Sequence, residues 1–185
     1  MGLDILLGAN NQADLDAGHY NPDDHRLSRN FCHFMCRRSA IVGLPELDQI
    51  GQLTGVDIAP LYEMEEYVLP EDLAAWLEDE DNEAERNRLV QQTAAAAAAM
   101  AGNIERVTAT VQALLAHLAT IEHLPSRLLP DKEGTFADEG AYFANFFASK
   151  MNRFDNTFGQ DLRNLNSFLH YAKSKGSETV FFVYG

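Results

Sequence analysis

Residues 93–121 read TAAAAAAMAGNIERVTATVQALLAHLATI. Apolar or small residues recur at Ala97, Met100, Ile104, Val107, Val111, Leu114, Leu118 and Ile121, in steps that alternate four and three. With 3.6 residues per turn, that spacing keeps them on one helical face. The period is seven, as in a helix that packs along a seam on another helix. Ala94 to Ala99 have the strongest helix propensity available, and Gly102 costs only about 1 kcal/mol against it. The stretch predicts one long helix, ended by Pro125 and Pro130.

A second helix follows. Thr135-Phe136-Ala137-Asp138 resembles a capping box with Asp in the Glu position. Phe143, Phe147, Met151, Phe154, Phe158, Leu162, Leu165 and Leu169 then line one face, and Lys173, Lys175 and Gly176 suit a helix end. Two long helices joined by one loop predict an antiparallel hairpin. The phenylalanines need cover, either from helices of the first half or from a second copy of the chain in a homodimer.

Upstream, MGLDILL and, at the far end, TVFFVYG have the alternation and residue types of short strands, and they are expected to pair. Residues 12–21 are polar and read as loop. Asn21-Pro22-Asp23-Asp24 opens a helix expected to run to about Ala40. A short helix fits Pro45 to Leu53, stopped by Gly55. Residues 56–62 look extended and offer a further strand, and helix resumes at Pro70. The fold class expected is mainly α (α+β): a long antiparallel helical hairpin, shorter helices, and a small sheet from the N- and C-terminal strands. One compact domain over 1–185 is expected, with an acidic α/β part (1–85) and a hairpin part with the closing strand (86–185).

Charge divides the chain the same way. The net charge is −14. Residues 1–85 hold nineteen Asp/Glu and four Lys/Arg, whereas 86–185 hold nine and ten. Eleven acids and no base lie between Glu63 and Glu85. Such a field repels phosphate backbones and anionic membrane, so no nucleic-acid or membrane partner is expected. It attracts a basic protein, with Glu78, Asp79, Glu80, Asp81 and Glu83 as its contact residues. The plainer reading is a coat that keeps the protein soluble. No run of eighteen apolar residues is present, and the opening MGLDILLGANNQ has no basic region, so a cytoplasmic protein is expected. The MGLD opening before a short apolar strand is similar to a set of uncharacterised bacterial and phage proteins. That resemblance implies a bacterial source and no activity.

The segment HRLSRNFCHFMCRR (25–38) holds both cysteines. On a helical wheel Leu27, Phe31, Phe34 and Met35 form one arc, with Cys32 at its edge and Cys36 just beyond. Arg26, Arg29, His33 and Arg37 form the opposite arc. This basic stripe either pairs with the acids of 63–85 or binds an anion. The cysteines read as core-edge residues. A zinc site would need His25 and a fourth ligand such as His19, and a disulfide fits one helical turn poorly. No ExxH, HExxH, GxGxxG, P-loop or GxSxG spacing occurs, so no catalytic residue, metal or cofactor is assigned. The function expected is a non-enzymatic, inhibitor- or immunity-like interaction protein. The alternative is a small metal-dependent hydrolase or transferase with histidine ligands between helices.

Overall fold

The computed structural model describes residues 4–17, 22–36, 43–129, 142–146 and 156–184. The chain ends meet, as expected. Strand β1 (Ile5–Ala9) pairs antiparallel with β2 (Val180–Tyr184), Ile5 opposite Tyr184 and Ala9 opposite Val180. Ile5, Leu7, Ala9, Val180 and Phe182 are buried on the inner face. On the outer face Phe181 lies over Gly8, where any Cβ would strike its ring, and Tyr67 stacks on Phe181 at 3.6 Å and 12°.

Eight α-helices lie between the strands among the described residues: α1 (Gln12–Ala17), α2 (Arg29–Cys36), α3 (Glu46–Thr54), α4 (Ala59–Glu63), α5 (Pro70–Asp79), α6 (Glu83–Met100), α7 (Ile104–Leu118) and α8 (Phe158–Ser174). The fold is mainly α with a small sheet. Helix α3 opens after Pro45 and stops at Gly55, which takes the left-handed conformation at φ 71°. Helix α5 begins at Pro70, as expected.

Several boundaries differ from the sequence reading. Residues 12–17 are helical rather than loop. Pro22–His25 form a 3-10 turn and 26–28 leave the helix, so α2 starts only at Arg29. The physical cause is Ser28, whose hydroxyl accepts from Phe31 N at 3.2 Å and caps α2. No strand forms over 56–62. Asp57 Oδ1 accepts from Ala59 N at 3.0 Å, and Pro60 suits a first helical turn, so α4 forms there and runs into a 3-10 turn, Met64–Glu66.

The helix expected over 93–121 is two helices. The break is Ala101-Gly102-Asn103, with Gly102 at φ 70°. Strand β2 holds the break open. Asn103 Oδ1 accepts from Val180 N at 2.9 Å, and its Nδ2 donates to Val180 O at 2.8 Å. Ile104 N and Gly102 N donate to Glu178 O and Thr179 Oγ1. The seven-residue seam is therefore real in α7, where Ile104, Val107, Val111, Leu114 and Leu118 are buried, while Ala97 in α6 faces solvent.

Helices α7 and α8 are antiparallel. Lys173 pairs with Glu105, and Gln112, one to two turns further along α7, reaches Asn166 and His170. The second helix begins at Phe158, later than expected, and Phe143 is buried from a loop rather than from a helix. Carbonyls of Tyr142 and Ala144 accept from Phe158 N and Gly159 N at 2.7 and 3.2 Å, so the loop caps the N-terminus of α8. It approaches so closely that a Cβ on Gly159 would meet Asn145 O at 2.5 Å. Phe158, Leu162, Leu165, Phe168 and Leu169 are fully buried within the one chain, so these residues do not need a second copy for cover. The expected cap at Thr135–Asp138, and Phe147, Met151 and Phe154, lie outside the described residues.

Candidate functional site

The core contains α2, α3, α7, α8 and the sheet, and its centre is aromatic, with Phe31, Phe34, Tyr142, Phe143 and Phe158 in ring contact. Helices α5 and α6 are different. No residue of α5 is buried, and Met100 alone is buried in the eighteen residues of α6. The two form a hairpin arm. Its seam is the half-buried Leu73 and Leu77 of α5 with Leu89, Thr93 and Ala96 of α6. Trp76 and Val90 remain 48% and 44% exposed.

The five acids proposed from sequence come together at the tip of this arm. Glu78 and Asp79 end α5, Glu80 and Asp81 lie in the turn, and Glu83 opens α6. Asn82 caps α6, its side chain accepting from Ala84 N at 3.0 Å. Glu80 Oε1 accepts from Asn82 N at 2.8 Å, which fixes the turn. Glu83 and Glu85 favour the positive end of the α6 dipole, but Glu78 and Asp79 stand at the negative end of α5, where carboxylates are repelled.

Pairing separates the acids further. Glu85 is paired with Arg88, whose guanidinium holds its carboxyl below the usual range, Glu63 with Arg106 at 2.8 Å, and Glu65 accepts from the Tyr184 hydroxyl at 2.7 Å. Among the described residues no carboxylate of Glu71, Asp72, Glu78, Asp79, Glu80, Asp81 or Glu83 is in an ion pair, although Arg86 reaches back to the turn and its Nη1 donates to the Glu80 carbonyl at 3.4 Å.

Among the described residues neither Arg26 nor Arg29 of the basic stripe forms an ion pair with them. Arg29 pairs with Asp4 at 3.3 Å. Arg29 and His33 share an exposed face of α2, but Arg26 precedes the helix, and its carbonyl accepts from Asn164 Nδ2 at 2.6 Å. Arg37 lies outside the described residues.

The histidines do not converge. His33, His117, His123 and His170 are exposed, His25 rests against the rings of Phe168 and Tyr171, and His19 lies outside the described residues. Among the described residues no group of three or more His, Cys, Asp or Glu could hold a metal ion. A shallow depression beside α3 carries Asp48 and Asp57, both already engaged, the first by the Tyr62 hydroxyl at 2.6 Å.

One polar cluster was missed. Asp161, 1% exposed, accepts from Ser28 N at 2.8 Å, Ser28 Oγ at 2.7 Å and the Tyr142 hydroxyl at 3.1 Å. Burial raises its pKa to about 6, against the lowering effect of those donors, and pushes the Tyr142 hydroxyl well up. The cluster joins α2, α8 and the 142–146 loop and is closed to solvent, which suits a structural clasp. Its sequence signal is an acid inside the apolar stripe Phe158, Leu162, Leu165, Phe168.

Comparison with protein-family models, curated proteins and solved structures finds no match to this chain. Among the described residues no helix is long and apolar enough to cross a membrane.

Proposed function

We propose that the chain is a non-enzymatic interaction protein, inhibitor- or immunity-like, that captures a basic protein partner with the tip of the α5–α6 arm. The observation that carries this reading is the set of five carboxylates at Glu78, Asp79, Glu80, Asp81 and Glu83, none in an ion pair among the described residues, with Arg86, held to the Glu80 carbonyl, as the one cation at the same turn among those residues. They crowd one turn on an arm that adds little to the core. Like charges so placed oppose folding slightly, and they steer a cationic surface into contact. Two free cysteines are in keeping with a reducing cytoplasm.

The test uses paired baits. Wild type, a tip variant (Glu78→Gln, Asp79→Asn, Glu80→Gln, Asp81→Asn) and a control variant (Asp14→Asn, Asp16→Asn on α1) are presented to the same native extract. The expected result is one basic protein retained by wild type and control and lost by the tip variant. Equal retention by all three would refute the assignment of the tip.

A further inference from the structure

Cys32 and Cys36 stand one turn apart on α2 and are free thiols. Cys32 is fully buried and Cys36 half-buried, so the pair meets solvent through Cys36. Glu65 from the 3-10 turn and Tyr184 at the end of β2, joined by their 2.7 Å hydrogen bond, are electrostatic neighbours of both sulfurs, and Asp4 is a further neighbour of Cys32.

Three chemistries compete for two such thiols. A disulfide needs Cβ atoms about 3.5–4.5 Å apart, whereas positions i and i+4 of a helix hold them about 5–6 Å apart. Oxidation would have to unwind α2, which carries Phe31, Phe34 and Met35 into the core. A cation such as Cu(I) leaves an anionic bis-thiolate. Burial, then the neighbouring thiol and carboxylates, opposes that charge and pushes Cys32 up to about 12. A centre that bridges both sulfurs and leaves a neutral product meets neither obstacle. Trivalent arsenic has a bent S–As–S angle, which lets one centre join two sulfurs that a helical turn sets on the same face.

We propose that Cys32 and Cys36 form a two-thiol site for a monosubstituted trivalent arsenical, bound as a neutral dithioarsenite. Each sulfur forms one bond to arsenic. The two thiol protons leave with the arsenoxide oxygen as one water. Arsenic stays trivalent and both sulfurs keep their oxidation state, so no oxidant or reductant is needed.

The experiment mixes the native full-length chain with equimolar phenylarsine oxide and reads intact mass. The expected product is one phenylarsenic group in place of two hydrogens, stable to 2-mercaptoethanol and released by 2,3-dimercaptopropanol. Bridging two sulfurs should raise resistance to the monothiol by about 10²–10⁴-fold over a single bond. Cys36→Ala and Cys32→Ala should each lose that resistance. Cys36 is half-buried, so its variant keeps the test open even if the Cys32 variant folds poorly. An adduct that forms only in urea, or that resists the monothiol equally in a single-cysteine variant, would overturn the site.

Discussion

Helices α6 and α7 are separated by three residues and share one seven-residue pattern, yet their environments are opposite. In α7 the pattern is filled by Val107, Val111, Leu114 and Leu118, all fully buried. In α6 it is carried by Ala97, which is exposed within the run Ala94 to Ala99, and reaches a large buried side chain only at the last residue, Met100. Burial stabilises in proportion to apolar area, about 25 cal/mol per Å², so a row of methyl groups gains little from a partner. Helix α6 instead stands on propensity, its Asn82 cap and a thin seam with α5. A periodic face therefore says which side of a helix is available for packing. The size of its side chains decides whether the core recruits it.

The contrast should be plainest in truncations. Phe158→Ala, at the centre of the ring cluster, is expected to lose about 3–5 kcal/mol in denaturant unfolding. Trp76→Ala on the arm should change the same curve by under about 0.5 kcal/mol. A large loss at Trp76 would mean that the arm is part of the core.

The next largest effect concerns the clasp. Asp161 holds its proton to about pH 6 when folded, against 3.8 for the ordinary group. Between those values the folded state binds a proton that the unfolded state has released. Stability from this group is therefore full below pH 3.8 and is lost as pH rises through 6. Asp161→Asn should remove a fall on the order of 2–3 kcal/mol from the stability curve between pH 4 and 7. Parallel curves for variant and wild type would show that the carboxylate is as well solvated as in the unfolded chain.

Smaller again is the joint between the two regions. Asn103→Ala leaves Val180 N and O without their side-chain partner, and it should cost about 1–2 kcal/mol. Hydrogen exchange should speed at Val180 and at the start of α7 while α5 is unaffected. Faster exchange in α5 as well would show that the arm and the body open together.

These results also mark how far the sequence could be read. The strand pairing, α3 between Pro45 and Gly55, the start of α5 and the stripe from Phe158 to Leu169 were all legible, because local residue types decide them. The break at Gly102 was not. A glycine within a helical pattern is a small local cost, and what decides the outcome is Val180, 77 residues away, presenting its backbone to Asn103. The strand expected at 56–62 failed for a local reason that β-type residues masked, the Asp57 turn ahead of Pro60. The tip acids were legible as a charge run. Their lack of ion pairs among the described residues was not, since the arginines around α2 could have met them and Arg29 pairs with Asp4 instead.

The central claim is that the tip acids serve capture rather than folding, and neutralising them should leave stability unchanged or slightly raised. The most direct test is the association rate of the captured basic protein with wild type and with the tip variant (Glu78→Gln, Asp79→Asn, Glu80→Gln, Asp81→Asn), each followed from about 20 to 300 mM salt. A wild-type rate that falls steeply with salt, beside a slow and nearly flat rate for the variant, is the predicted result. Superimposable salt profiles would contradict the claim and leave the acids as a solubility coat.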